Sequence, residues 1–213
     1  MMNEMLAVCA GVALAAACGF RVFVPLLVAS LAVRAGVAQP VASLNWLGSD
    51  LAIGMLAVAT VIEIVAYYVP WLDHALDTIA SPAAVVAGTL AAGVFMPGTV
   101  DPALHWALAM IIGGGAAGVV QTGSVLTRTV SGGTTLGLAN PVVATLENAG
   151  AVTLSAMAIF LPVAGAIVAL VIVVSIVILF RKLITLFKAK RNGRFTPVPI
   201  PVQAYLVDER TGR

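Results

Sequence analysis

Residues 17–27 read ACGFRVFVPLL, an arginine set in an apolar stretch. From Met5 to Val33, Arg21 is the single charged side chain. One straight helix over that run would be roughly 43 Å long at about 1.5 Å per residue, against a hydrocarbon core of about 30 Å. Two readings follow. Either two short helices meet at Gly19-Phe20-Arg21, with Pro25 opening the second, or one kinked span strands Arg21 near mid-membrane.

Composition places the whole chain in a bilayer. Hydrophobic residues make up 61% and charged residues 9%, where a soluble domain carries about 25% charged. Apolar runs near the length of a membrane span fall at residues 2–19, 22–35, 50–69, 82–97, 103–121, 141–160 and 163–187. The expected fold is therefore all-α, a polytopic helix bundle of six to seven spans, with a broken first helix at Gly19–Arg21. Prolines at 25, 70, 82, 97, 102, 141 and 162 mark helix ends, since proline suits a first turn and is awkward elsewhere. Residues 1–188 read as the membrane domain and 189–213 as a basic tail, with alternating prolines at 197, 199 and 201 that favour extended backbone.

Charge sets the expected orientation. Arg181, Lys182, Lys188, Lys190, Arg191 and Arg194 follow the last apolar run directly, which makes the C-terminus cytoplasmic by the positive-inside rule. Working back, the stretch around Arg128 lies inside and the turn at Asp101 outside. The N-terminus is outside if the first run is two helices and inside if it is one. A secretory leader is not expected, because MMNEM carries Glu4 and no basic residue. Cys9 and Cys18 read as free thiols within the first run, facing opposite sides of one helix.

Two patterns bear on architecture. Pro25–Leu31 (PLLVASL) resembles Pro141–Leu146 (PVVATL), each after a small-residue segment, which suggests a 3+1+3 internal repeat of the kind transporters carry. In Gly113-Gly114-Gly115 with Gly118, Gly114 and Gly118 share a helix face, suited to close packing or to a homo-oligomer contact. The stretch QTGSVLTRTVSGGTTLGLANP (121–141) reads as a long irregular loop lining a cavity.

A charge at the bilayer centre costs at least about 2.5–3.5 kcal/mol, so each intramembrane ionisable residue needs a partner, water or a purpose. Glu63, with Tyr67 one turn later, and Glu147, with Asn140 at the entrance of its helix, are the acids. Arg21 and Arg128 are the available bases. They form either buried ion pairs that fix helix register or a substrate or proton site comprising Arg21, Glu63, Tyr67, Gln121, Asn140 and Glu147. In YYVPWLDHALDTIASP (67–82), Asp73 and Asp77 are four apart and, with His74, are weak candidates for a divalent cation; an interfacial segment anchored by Trp71, Tyr67 and Tyr68 is the plainer reading. Asp101 and His105 read as a capped helix start beside Trp106. No nucleophile has an evident base beside it, GGGAAG lacks the lysine of a phosphate loop, and neither a cofactor nor nucleic acid has a motif.

Four blocks carry a family resemblance: ACGFRVFVPLL, the Glu63 helix running into YYVPWLDHALDTIASP, GGGAAGVVQ, and LANPVVATLE ending at Glu147. Together they resemble the bacterial integral membrane proteins grouped as domain of unknown function 4126. The resemblance implies a multi-pass protein of the bacterial inner membrane and places Arg21, Glu63, Asp73, Asp77, Gln121, Asn140 and Glu147 in recurrent motifs, while it lends no activity. The reading the residues favour is a secondary transporter, or a protein handling a lipid or small solute, with an intramembrane Arg/Glu site. The alternatives are a membrane enzyme acting on a lipid phosphate with Mg²⁺ at Asp73 and Asp77, and a non-catalytic scaffold.

Overall fold

The structure, a computed structural model, describes residues 3–136 and 138–193, with the side chains of residues 70–75, 186, 187 and 189–193 excepted. The tail 194–213 and the side chains of Trp71, Asp73, His74, Lys190 and Arg191 lie outside the described residues. The chain divides into two compact units, Met1–Val177 and Ile178–Arg213. Everything below concerns the first.

The first apolar run is two helices, α1 (Glu4–Cys18) and α2 (Phe23–Arg34), with residues 19–22 unwound between them. They form a hairpin. A cavity of about 190 Å³ is lined by Glu4 and Ala7 from the start of α1, Val37, Ala38 and Gln39 beyond α2, and Val94–Gly98 at the end of α4 (Pro70–Phe95). Both open ends of the hairpin therefore lie at one end of the bundle, here called the Gly98 end. The tip is held deep inside by backbone contact. A Cβ on Gly19 would lie 2.5 Å from the Ala117 carbonyl oxygen and 2.9 Å from the Gln121 nitrogen, so no larger residue fits there.

Alanine makes the hairpin's burial possible. Ala10, Ala13, Leu14, Ala15, Ala16 and Ala17 of α1 have no exposed surface, and the helix packs against α4, α6 (Gly115–Thr135) and α7 (Asn140–Phe160). A helix apolar all round belongs in the centre of a bundle, and short side chains let three neighbours approach it closely. The lipid-facing helices are the reverse. On α3 (Asp50–Ala66) Leu51, Met55, Val58, Val61, Ile62 and Val65 are all exposed, as are Ile167, Leu170 and Val171 on α8 (Pro162–Gly193).

Among the described residues, four helices are long and apolar enough to cross a membrane: Leu76–Phe95, Pro102–Thr135, Asn140–Phe160 and Pro162–Thr185. A fifth span counts if the turn Ala42–Gly48 and α3, bent by 64°, are taken together. With 15 and 12 residues, α1 and α2 fall short of the six or seven full spans expected, at roughly 22 Å and 18 Å against about 30 Å. An apolar run does not reveal whether its helix crosses or turns back. Their counterparts in the suggested repeat, residues 103–121 and 141–160, lie in the continuous helices Pro102–Thr135, of 34 residues, and α7, of 21.

Two further boundaries differ from expectation. Residues 121–135 are not a loop but the greater part of α6, the last stretch of a continuous helix that begins as α5 (Pro102–Leu108) and passes through a π-helical stretch at Ala109–Gly114. In hydrocarbon the backbone must pair with itself, which overrides the loop preference of Gly, Ser and Thr. Likewise α4 runs through Pro82, and Ser81 Oγ donates to the Asp77 carbonyl in the turn before it, at 2.8 Å. Other ends are as read: Asp101 accepts from the Ala103 N–H at 2.9 Å with Pro102 in the first turn, and Ser49 caps α3 through the Ala52 N–H at 3.2 Å.

The Gly114 and Gly118 face is turned toward α4. A Cβ on Gly114 would lie 2.8 Å from Thr89 Oγ1, and one on Gly118 would lie 3.3 Å from Val85 Cγ2.

Candidate functional site

The unwound tip places Arg21 among four elements. Its side chain is 1% exposed, and a guanidinium so deeply buried needs every donor answered. Nε donates to Asn148 Oδ1 at 2.5 Å, Nη1 to the Phe20 carbonyl at 2.9 Å and to Glu147 Oε2 at 3.0 Å, and Nη2 to the Ala144 carbonyl at 3.1 Å. Three of these acceptors lie on α7. The hairpin tip is thus fastened to the first two turns of that helix.

Glu147 is the hub. Arg128 of α6 approaches the same carboxylate, its Nε 3.3 Å from Oε1 and its Nη2 bonded to Oε2, while Ser124 Oγ also donates to Oε1. Arg128 reaches on to Asp77 of α4 at 3.4 Å. The cluster therefore runs Arg21–Glu147–Arg128–Asp77 and joins α4, α6, α7 and the hairpin. Tyr67, just past α3, completes it: the guanidinium carbons of Arg21 and Arg128 each lie 4.0 Å from its ring centroid, at cation–π distance.

Glu63 has a different role from the ion-pair partner it could have been. Its two oxygens accept from the backbone N–H groups of Val22, at 2.7 Å, and Phe23, at 3.0 Å. These are free amides at the start of α2, where a helix concentrates positive charge. The acid on α3 thus caps the second arm of the hairpin from outside. Between Glu63 and Glu147, the structure makes Glu147 the salt-bridge partner of Arg21.

The other candidates are placed less centrally. Gln121 is buried against the hairpin tip, two turns from Arg128 on the same helix, and Asn140 is buried at the first residue of α7. Asp77 belongs to the cluster through Arg128. The side chain of Asp73 lies outside the described residues, and among those described no group of three or more His, Cys, Asp and Glu residues is arranged to hold a metal ion. Asn148, Ser124 and Thr145 were not singled out from the sequence, and Tyr68 was read there as an interfacial anchor. Tyr68 Oη and Thr145 Oγ1 lie 3.0 Å apart, and Asn148 Nδ2 donates to Tyr68 Oη at 3.4 Å, which forms a polar rim beside Arg21. The adjacency of Asn148 to Glu147 was the available signal.

Among the described side chains, the acids of this site are Glu63, Asp77 and Glu147 and its bases Arg21 and Arg128.

Residues 8–182 match the family described as domain of unknown function DUF4126. No curated protein and no solved structure matches the chain. With a match across nearly all of the helical region, this chain belongs to the DUF4126 family.

Proposed function

We propose that the chain is a small multi-pass secondary transporter, or a handler of a lipid or small polar solute, in the bacterial inner membrane. The Arg21–Glu147–Arg128–Asp77 cluster is its polar site, and Glu63 or Glu147 carries the coupling proton. One observation carries the reading: the α1–α2 hairpin ends inside the bundle in an unwound tip whose arginine and free amides face buried carboxylates. Discontinuous helices with their ends at a charged site are how many secondary transporters build a binding site within the membrane. A structural role alone accounts poorly for so many buried charges, because a buried ion pair contributes no more stability than well-packed apolar residues would.

Counted with the hairpin arms, seven apolar elements alternate in direction. That puts the N-terminus at the Gly98 end, and the positive-inside rule makes the opposite, Leu138, end cytoplasmic.

The test is an acid step applied to protein in proteoliposomes on a solid-supported membrane. Proton binding within the bilayer displaces charge, so the wild type gives a transient current and Glu63→Gln or Glu147→Gln loses it. A silent wild type would sink the transport reading and leave the scaffold in front.

A further inference from the structure

We propose that α6 and α7 enclose a file of ordered water that leads from the Leu138 end past Glu147 to the level of Gln121 and Ser155, and that the file is closed toward the Gly98 end. It rests on the cluster being the functional polar site and names what that site's polar neighbours bind.

Two kinds of polar side chain occur on α6. Thr122, Thr127, Thr129, Thr134 and Thr135 each donate their hydroxyl to the carbonyl four residues back. That is how a hydroxyl is satisfied without any outside partner. The inward face behaves otherwise. Gln121, Ser124, Arg128 and Ser131 follow one another at helical spacing and are all buried. The middle two end on Glu147, whereas Gln121 Nε2 and Ser131 Oγ have no hydrogen-bond partner among the described residues. On α7, Glu147, Ala151 and Ser155 share one buried face, and Ser155 Oγ is likewise unpartnered.

The orphans fall on both sides of Glu147. Since α6 and α7 run in opposite directions, Gln121 and Ser155 both lie on the Gly98 side of Glu147, and Ser131 lies on the other. From Ser131 to Gln121 is about 15 Å of helix, and Ser131 is roughly one turn from the helix end at Thr135. A buried donor left unmade costs about 1–3 kcal/mol. In native proteins such groups are met by ordered water, which takes two to four polar partners of the kind this file supplies. Toward the Gly98 end the packed alanines of α1, from Ala10 to Ala17, offer no polar group and no exposed surface. The file ends there, and water reaches Glu147 from the Leu138 end alone.

The test uses single cysteines at Ser131, Gln121 and Ser155, with lipid-facing Thr129→Cys as control, in protein lacking Cys9 and Cys18 and oriented in proteoliposomes. The probe is silver ion, read as protection from a membrane-permeant maleimide. A thiol must reach water to ionise and react, so Ser131→Cys and Gln121→Cys should react about tenfold or more faster than Thr129→Cys when silver is presented at the Leu138 end. Silver presented at the Gly98 end should give no such excess. Equal rates at Gln121 and Thr129, or equal access from both ends, would overturn the proposal. Should the cysteine variants not fold, Ser155→Ala decides: in a dry bundle it removes an unmade bond and raises the melting temperature, whereas in a wet one it does not. Silver access without an acid-step current would leave the water file standing and remove the transport reading; a current without access would remove the file alone.

Discussion

Replacing Arg21 by leucine removes four hydrogen bonds, to Asn148, Phe20, Ala144 and Glu147. Deleting one partner of a buried ion pair costs about 3–5 kcal/mol when the other charge is stranded. Glu147 is not fully stranded, because Arg128 and Ser124 remain on it. The loss therefore falls near the lower bound, about 3 kcal/mol, with the Phe20 and Ala144 carbonyls left unmade as part of it. For a chain of this size each kcal/mol moves the midpoint by roughly 2–4 °C, which gives a fall of about 6–12 °C. Thermal unfolding in detergent, followed by the reaction of a fluorogenic maleimide with Cys18, reads this directly, since Cys18 is fully buried at the end of α1.

The counter-substitution identifies the partner. With Arg21 gone, Glu147 has lost one of its two guanidinium partners, and Glu147→Gln removes the charge left under-compensated, so Arg21→Leu/Glu147→Gln should recover part of the loss. Glu63→Gln should not, because it costs α2 one of the two acceptors on Val22 and Phe23. A midpoint for Arg21→Leu within about 2 °C of wild type, or equal recovery by Glu63→Gln, would refute the pairing.

Four further outcomes are expected. Gly88→Ala places a Cβ 2.5 Å from Ala117 Cβ and 2.6 Å from the Gly113 carbonyl and should cost about 1–3 kcal/mol; Gly115→Ala, with nothing within 4 Å, should be neutral or slightly stabilising in the same melts. Tyr67→Phe keeps the ring beside both guanidiniums and should melt near wild type, while Tyr67→Leu loses two cation–π contacts worth about 0.5–2 kcal/mol each. Arg34→Ala breaks a pair with Asp50 whose side chains are 55% and 83% exposed, and its midpoint should reflect less than about 1 kcal/mol. A cysteine at Gly98 should label with an impermeant maleimide from outside intact cells, and a reporter after Arg213 should be cytoplasmic; labelling of Gly98 only after permeabilisation would reverse the orientation.

Some of the site was legible because hydrocarbon is an unforgiving solvent. An arginine or glutamate inside an apolar run has to be answered, and that argument alone singled out Arg21, Glu63, Arg128 and Glu147, all of them buried. The break at Gly19–Arg21 was legible for a related reason, since the run was too long for one span and too short for two full ones. The loop expected over residues 121–140 failed because turn preferences are learned from water. In lipid, Gly, Ser and Thr stay helical, and α6 reaches Thr135.

The sequence by itself determined that the chain lies in a membrane, that its membrane domain is helical and that its few internal charges matter. Each follows from the local cost of putting a residue type into hydrocarbon. Only the tertiary structure decided who answers whom. Arg21 and Glu147 are 126 residues apart along the chain, and nothing local separates Glu147, bonded to two guanidiniums, from Glu63, bonded to two backbone amides. That choice is set by where the hairpin tip comes to rest, which depends on the close approach of Gly19 to the backbone of α6 and on the alanine packing of α1. Pairing is a property of positions in space, and those positions are fixed by contacts among all the helices at once.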